Sequence, residues 1–239
     1  MRSSRIGCPG MVWGFLIVQN SARRMFWREF LGAGMAGVPT FAVGSGFMGI
    51  ANRNSEAGLV IAGVPLDLGT TNRSGGRDGP RAIRAASRML VDGAHPGSWV
   101  DPLTLDVSDV GEFELALGDL AASLGLIERQ AAGFGHLIAL GGEHGISLPL
   151  LRALVTRRGG PVGLVHFDAH MDTWPDSFGQ VFGHGSVFFH AINEGLVDPR
   201  RMVQVGIRSP VQRAVWDWTV GQGVTVLSAL EVQDRKSVV

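Results

Sequence analysis

Across 239 residues the sequence holds one cysteine, Cys8, one lysine, Lys236, and no tyrosine at all. A single cysteine excludes an internal disulfide framework and suits a reducing compartment, so the expected location is cytoplasmic. Net charge is missing as well: acidic and basic residues balance at 21 each, leaving no electrostatic footprint for nucleic acid or an anionic membrane. Disorder is excluded too, because 45% hydrophobic against 18% charged residues suffices for a full core. What the composition leaves is a globular protein whose partners are small, locally recognised molecules. The scarcity of lysine and tyrosine, with 35 glycines, reads as genome composition and carries no mechanism.

Long uninterrupted apolar runs are also scarce. Met11 to Val18 follows two early arginines and loosely imitates a signal peptide, yet no small-residue cleavage site precedes Arg23 and Arg24. Leu31 to Ala51 is uncharged over a membrane-like length, but six glycines and Pro39 break it, which fits an irregular segment better than a spanning helix. Residues 1–50 are therefore read as a poorly defined N-terminal arm. No repeat, low-complexity tract or linker divides 51–239, which is read as one domain.

From Leu59 the pattern is regular. Leu59 to Val64 is a short, branched apolar run typical of a strand buried on both faces; a Gly/Asn/Ser-rich loop follows, and Gly79-Pro80 opens a helix running to about Leu90. Further strands are expected at Thr104–Val110, His136–Leu140, Val162–Phe167, Met202–Ile207 and Val224–Leu227. Helices are expected at Leu115–Ala132, Ile146–Arg157, Ser186–Glu194 and Val211–Val220, with another starting near Ala229. Alternating strands and helices predict an α/β fold with a parallel sheet and helices on both faces, in which ligands collect at the carboxyl ends of the strands.

One such end carries Val165 to Asp172, VHFDAHMD. On an extended backbone Asp168, His170 and Asp172 share one face, and three metal-competent groups at the end of an apolar run are costly to bury without a cation or a dense hydrogen-bond network. His144 follows another strand after Gly141 and Gly142, so it reaches the same rim. Carboxylate oxygen with some imidazole favours Mn, Mg or Fe, with Zn still open; a polar cluster capping the strand ends is the plain alternative. His166 shares the face of Asp168 one step deeper and reads as a hydrogen-bonded core residue. His95, His136 and His190 read as structural or solvent-facing, and Gly75, Gly76 and Gly79 lack the spacing of a phosphate cradle.

Gly141-Gly142-Glu143-His144 with Asp168-Ala169-His170-Met171-Asp172 resembles the ureohydrolase family of arginase, agmatinase and guanidino-acid amidinohydrolases. The stretches Gly63 to Arg84, Phe182 to Phe188 and Glu194 to Arg208 match as well, and the flavour is agmatinase-like. The resemblance spans about Gly37 to Leu230. It implies a three-layer αβα fold with a mainly parallel sheet, a homo-oligomer, and Mn2+-dependent hydrolysis of a small guanidino substrate, agmatine or guanidinobutyrate, to an amine and urea. It further implies two Mn2+ ions, the first held by His144 and Asp172, the second by His170, with Asp168 bridging. His184 matches the proton-shuttle histidine, and Thr173 to Gly183 part of the substrate lip, where Trp174 lines the mouth or is simply an exposed or half-buried aromatic.

A third family motif, of the form Ser-x-Asp-x-Asp-x-x-Asp-Pro, has no match from Ser209 to Val239. The expectation is a C-terminally incomplete domain whose second ion is left with Asp168 and His170. Its rival reading is a truncated, non-catalytic family member acting in binding or oligomerisation. A sheet cut short predicts an exposed apolar edge, with poor solubility or dependence on partner subunits.

Overall fold

The computed structural model describes residues 15–16, 46–90 and 94–234. The signal-like run apart from Phe15 and Leu16, most of the N-terminal arm and residues 235–239 lie outside the described residues. Among the described residues seven strands and six α-helices follow in order: β1 (Phe15–Leu16), β2 (Leu59–Val64), α1 (Gly79–Ser87), β3 (Val107–Glu112), α2 (Leu120–Ala131), β4 (Leu137–Gly141), α3 (Ser147–Arg158), β5 (Val162–Phe167), α4 (Val187–Asn193), β6 (Val197–Ile207), α5 (Arg213–Gly221), β7 (Thr225–Ser228) and α6 (Ala229–Asp234).

β2 and β5 fill the predicted spans, and the displaced boundaries have local causes. α2 starts later than expected because Gly118 takes a left-handed turn and Asp119 caps the helix, its side chain accepting from the Ala122 N–H. α3 stops at Gly159, which adopts the left-handed conformation that favours glycine at a helix end. β6 begins upstream of Met202: Val197 pairs with Val162, the register then slips, and pairing resumes at Leu164 with Met202. The slipped stretch holds Pro199, Arg200 and Arg201, so its sequence reads as a turn.

The strands form two sheets, ordered β1-β4-β2-β3 and β5-β6-β7. β2 runs parallel to β3 and β4, β5 to β7 are all parallel, and β1 is antiparallel to β4. A single sheet was expected; among the described residues β4 and β5 do not pair. Alternation of strands and helices specifies strand direction and crossover but leaves the choice of neighbours open, and β1 takes the outer edge of β4.

The first sheet is covered on both faces. Ile61, Val107 and Leu140 pack with Ile83 of α1 and with Phe47 and Ile50, while Ala62 and Val64 bury against α2 and α3 through Leu124, Ile127, Leu150 and Ala153. α1 is also pinned by charge: Arg84 donates two 2.8 Å bonds to Asp109 of β3, which also accepts from the Phe47 N–H. Burial opposes ionisation of Asp109, but Arg84 and the Phe47 and Gly111 N–H groups hold its carboxyl below the usual range. The second sheet packs Val162 and Met202 against Leu151, Leu154, Phe188 and Ala191 of α3 and α4. Its other face leaves Val165 and Phe167 56% and 59% exposed. α3 serves both cores and so fixes the sheets' carboxyl ends side by side.

Candidate metal centre

The β4 end turns sharply. A Cβ on Gly142 would stand 2.2 Å from the Val64 carbonyl oxygen, and its φ is +72°, so only glycine allows the chain to pass there. The turn delivers His144 at the start of the 3-10 segment His144–Ile146. Its Nδ1 lies 2.5 Å from Asp172 Oδ2 and 3.6 Å from Asp168 Oδ2.

On β5 the ladder closes with the Asp168 N–H donating to the Val205 carbonyl. Beyond it the chain is held in a non-strand turn. The Ala169 carbonyl accepts from the Arg208 and Ser209 N–H groups, the Met171 carbonyl from Gln204 Nε2, and the Asp172 carbonyl from the Phe188 N–H. Asp172 itself sits at φ +51°, which aspartate tolerates better than most side chains. The expectation that Asp168, His170 and Asp172 share one extended face therefore fails in its geometry. The two carboxylates converge with His144, whereas His170 turns outward with its side chain 58% exposed, its Nδ1 3.2 Å from Asp168 Oδ1. The physical reason is that alternation ends with the ladder at Phe167.

Four side chains, His144, His166, Asp168 and Asp172, each offer a ligand atom, and these atoms lie within 4.8 Å of one another, an arrangement that could hold a metal ion. Two carboxylates and two imidazoles, half-buried or buried, match the donor preferences of a divalent cation. Burial opposes ionisation of Asp168, yet His166, the His170 N–H and His144 together hold its carboxyl well below the usual range. Burial pushes the His166 imidazole down, against the pull of Asp168. An anionic Asp168 beside a neutral His166 imidazole is a protonation state that receives a cation.

His184 faces the same region from the start of its own 3-10 segment. Its Nε2 lies 3.3 Å from Thr71 Oγ1, and burial lowers its pKa. Trp174 is half-buried on the Thr173–Gly183 loop, its N–H donating to the Gly185 carbonyl. His95 and His190 contact backbone groups, as expected of structural histidines. The loop amides of Gly75 and Arg77 are turned onto Asp67, which Arg77 also grips, so the loop already encloses its own anion.

Three polar residues near the centre escape a reading of the sequence alone: Thr71, Glu143 and Gln204. Glu143 is buried, and burial pushes its carboxyl up to about 7. Its Oε2 accepts from the Gly69 N–H at 2.8 Å, and the Gly69 carbonyl in turn faces the His184 N–H. A Cβ on Gly69 or Gly145 would come within 3.0 Å of Glu143 Oε1, so two glycines make its seat. Gln204 offered one signal, a lone amide between valines on a strand.

An αβα architecture with carboxylates and imidazoles converging at the carboxyl ends of parallel strands defines a class: an α/β protein with a strand-end cluster that could hold a metal ion. The chain belongs to the arginase family, whose model matches residues 57–238. It is 38% identical over 190 residues to an agmatinase of Serratia proteamaculans, covering 77% of this chain and 59% of that relative. Proclavaminate amidino hydrolase from Streptomyces clavuligerus superposes with a TM-score of 0.73 at 32% identity, over 83% of this chain and 68% of that one. A formiminoglutamase variant of Trypanosoma cruzi solved with Mn2+ gives a TM-score of 0.69 at 25% identity, over 79% and 65%. The chain thus spans about 59% of the length of the first curated relatives it matches.

Proposed function

We propose that this chain is an agmatinase-type ureohydrolase that hydrolyses a small guanidino compound, agmatine before guanidinobutyrate, to an amine and urea, with Mn2+ as cofactor. The observation that carries the reading is the convergence of His144, Asp168 and Asp172 from the ends of two different strands. These three would hold the first ion, Asp168 and His170 would serve a second, and the agmatinase and Mn2+-containing relatives support the choice of substrate and metal. A divalent ion bound there supplies Lewis acidity and a water acidic enough to react near neutral pH.

The chain's own residues do the rest. The planar guanidinium carbon is presented to the carboxylate-lined rim, with Trp174 on the lip forming one wall of the mouth. As water adds to that carbon, its proton passes to the imidazole of His184, kept neutral by burial; His184 then gives the proton to the amine nitrogen as the bond between carbon and that nitrogen breaks, leaving urea and the amine. Mn2+-loaded chain incubated with agmatine and with guanidinobutyrate is expected to release urea, faster from agmatine. No urea above the protein-free blank from either substrate would overturn the assignment. A non-catalytic role in binding or homo-oligomer assembly is the second reading, favoured by the exposed Val165 and Phe167. Sedimentation of the metal-free chain at two concentrations separates a self-associating protein from a monomer.

A further inference from the structure

One amide on the inward face of β6 reaches the candidate centre through a single histidine. Gln204 and His166 are register partners across β5 and β6, and each is 0% exposed. Gln204 Nε2 donates to the Met171 carbonyl at 2.6 Å, which settles which end of the amide is nitrogen, and that nitrogen lies 3.2 Å from His166 Nδ1. An amide N–H directed at a ring nitrogen needs that nitrogen's lone pair, so in the neutral ring the proton belongs on Nε2. Nε2 in turn faces Asp168 Oδ2 at 3.4 Å, long for a hydrogen bond and short for a charge contact.

We propose that Gln204 is a positioning residue that locks His166 in the Nε2–H tautomer, so that His166 serves Asp168 as a donor and not the metal as a ligand. The proposal rests on the reading of Asp168 as a metal ligand. Under it, both oxygens of that carboxylate are oriented by the protein: Oδ2 by His166, Oδ1 by the His170 N–H at 2.9 Å. A protonated Nε2 has no lone pair to give a cation, which removes one of the four clustered groups from the ligand set. The contacts from Met171 through Gln204 and His166 to Asp168 thus have one consistent arrangement of protons, with Gln204 Oε1 buried and accepting no hydrogen bond among the described residues.

The test is the ring-nitrogen spectrum of the metal-free, 15N-histidine-labelled chain, with His166→Gln used to assign the signals. A single His166 species with a protonated, pyrrole-type Nε2 and an unprotonated, pyridine-type Nδ1 is expected. An Nδ1–H ring, or two nitrogens averaged by exchange, overturns the proposal. Gln204→Glu places an acceptor where the donor stands; it is expected to move the ring proton to Nδ1 and to weaken Mn2+ binding about tenfold. A folded Gln204→Glu protein with the parent's tautomer and Mn2+ affinity also overturns it. Unchanged Mn2+ binding in Asp168→Ala would overturn instead the ligand reading underneath, whatever the tautomer.

Discussion

The two sheets are built from similar sequence and end in different states. Around the β1-β4-β2-β3 sheet helices cover both faces and a buried Arg84–Asp109 pair fastens α1 to β3. Around the β5-β6-β7 sheet one face packs on α3 and α4, while Val165 and Phe167 on the other meet solvent. The candidate centre draws on both, His144 from the closed sheet and Asp168, His170 and Asp172 from the open one. Enclosure, more than residue type, separates the two histidines: the His144 side chain is 13% exposed and His170 58%. Two imidazoles from one family pattern thus begin from different physical positions: both lie against a carboxylate, but His144 is shielded and His170 is open to water.

The comparison breaks first at the group both sides share. Asp168→Ala should weaken Mn2+ binding on the order of 100-fold or more, read by metal analysis after gel filtration, because under the proposed function it would remove a ligand atom rather than its support. On the closed sheet, Arg84→Ala strands Asp109 in the core and should cost about 3–5 kcal/mol in denaturant unfolding. The pH dependence has a definite sign. The Asp109 pKa in the folded chain is lowered from 3.8, so its contribution is complete above that value and lost as pH falls through the lowered one. The parent should lose stability in that acidic window, and Arg84→Ala should lose less.

On the covered face of the open sheet, Met202→Ala should cost about 2–5 kcal/mol, since that side chain is 0% exposed. Phe167→Ser, on the bare face of the same sheet, should change stability by less than about 0.5 kcal/mol while raising the concentration at which the chain stays soluble. A large loss from Phe167→Ser would mean that the bare face is covered in solution, and the contrast between the sheets would fall with it.

Much of this was legible in the sequence, though unevenly. Continuous apolar runs fixed β2 and β5 to the residue; in β2 burial on both sides writes itself into consecutive side chains, whereas β5 carries the same kind of run with Val165 and Phe167 exposed. The pairing of Gly-Gly-Glu-His with Asp-x-His-x-Asp pointed to the rim where His144, Asp168 and Asp172 meet. Alternation could not reveal that the ladder stops at Phe167, since the bonds that turn the next five residues come from Gln204, Arg208, Ser209 and Phe188 on other elements. Nor could it separate β4 from β5, or find Gln204 and Glu143, whose roles exist only once three segments are brought together.

The most direct test is a Mn2+ titration of the chain, with free ion followed by electron paramagnetic resonance, alongside His144→Ala and His170→Ala. One tight equivalent and a second, weaker one are expected in the parent; His144→Ala should lose the tight equivalent and His170→Ala only the weak one. Retention of the tight equivalent in His144→Ala, or its loss in His170→Ala, would contradict the account.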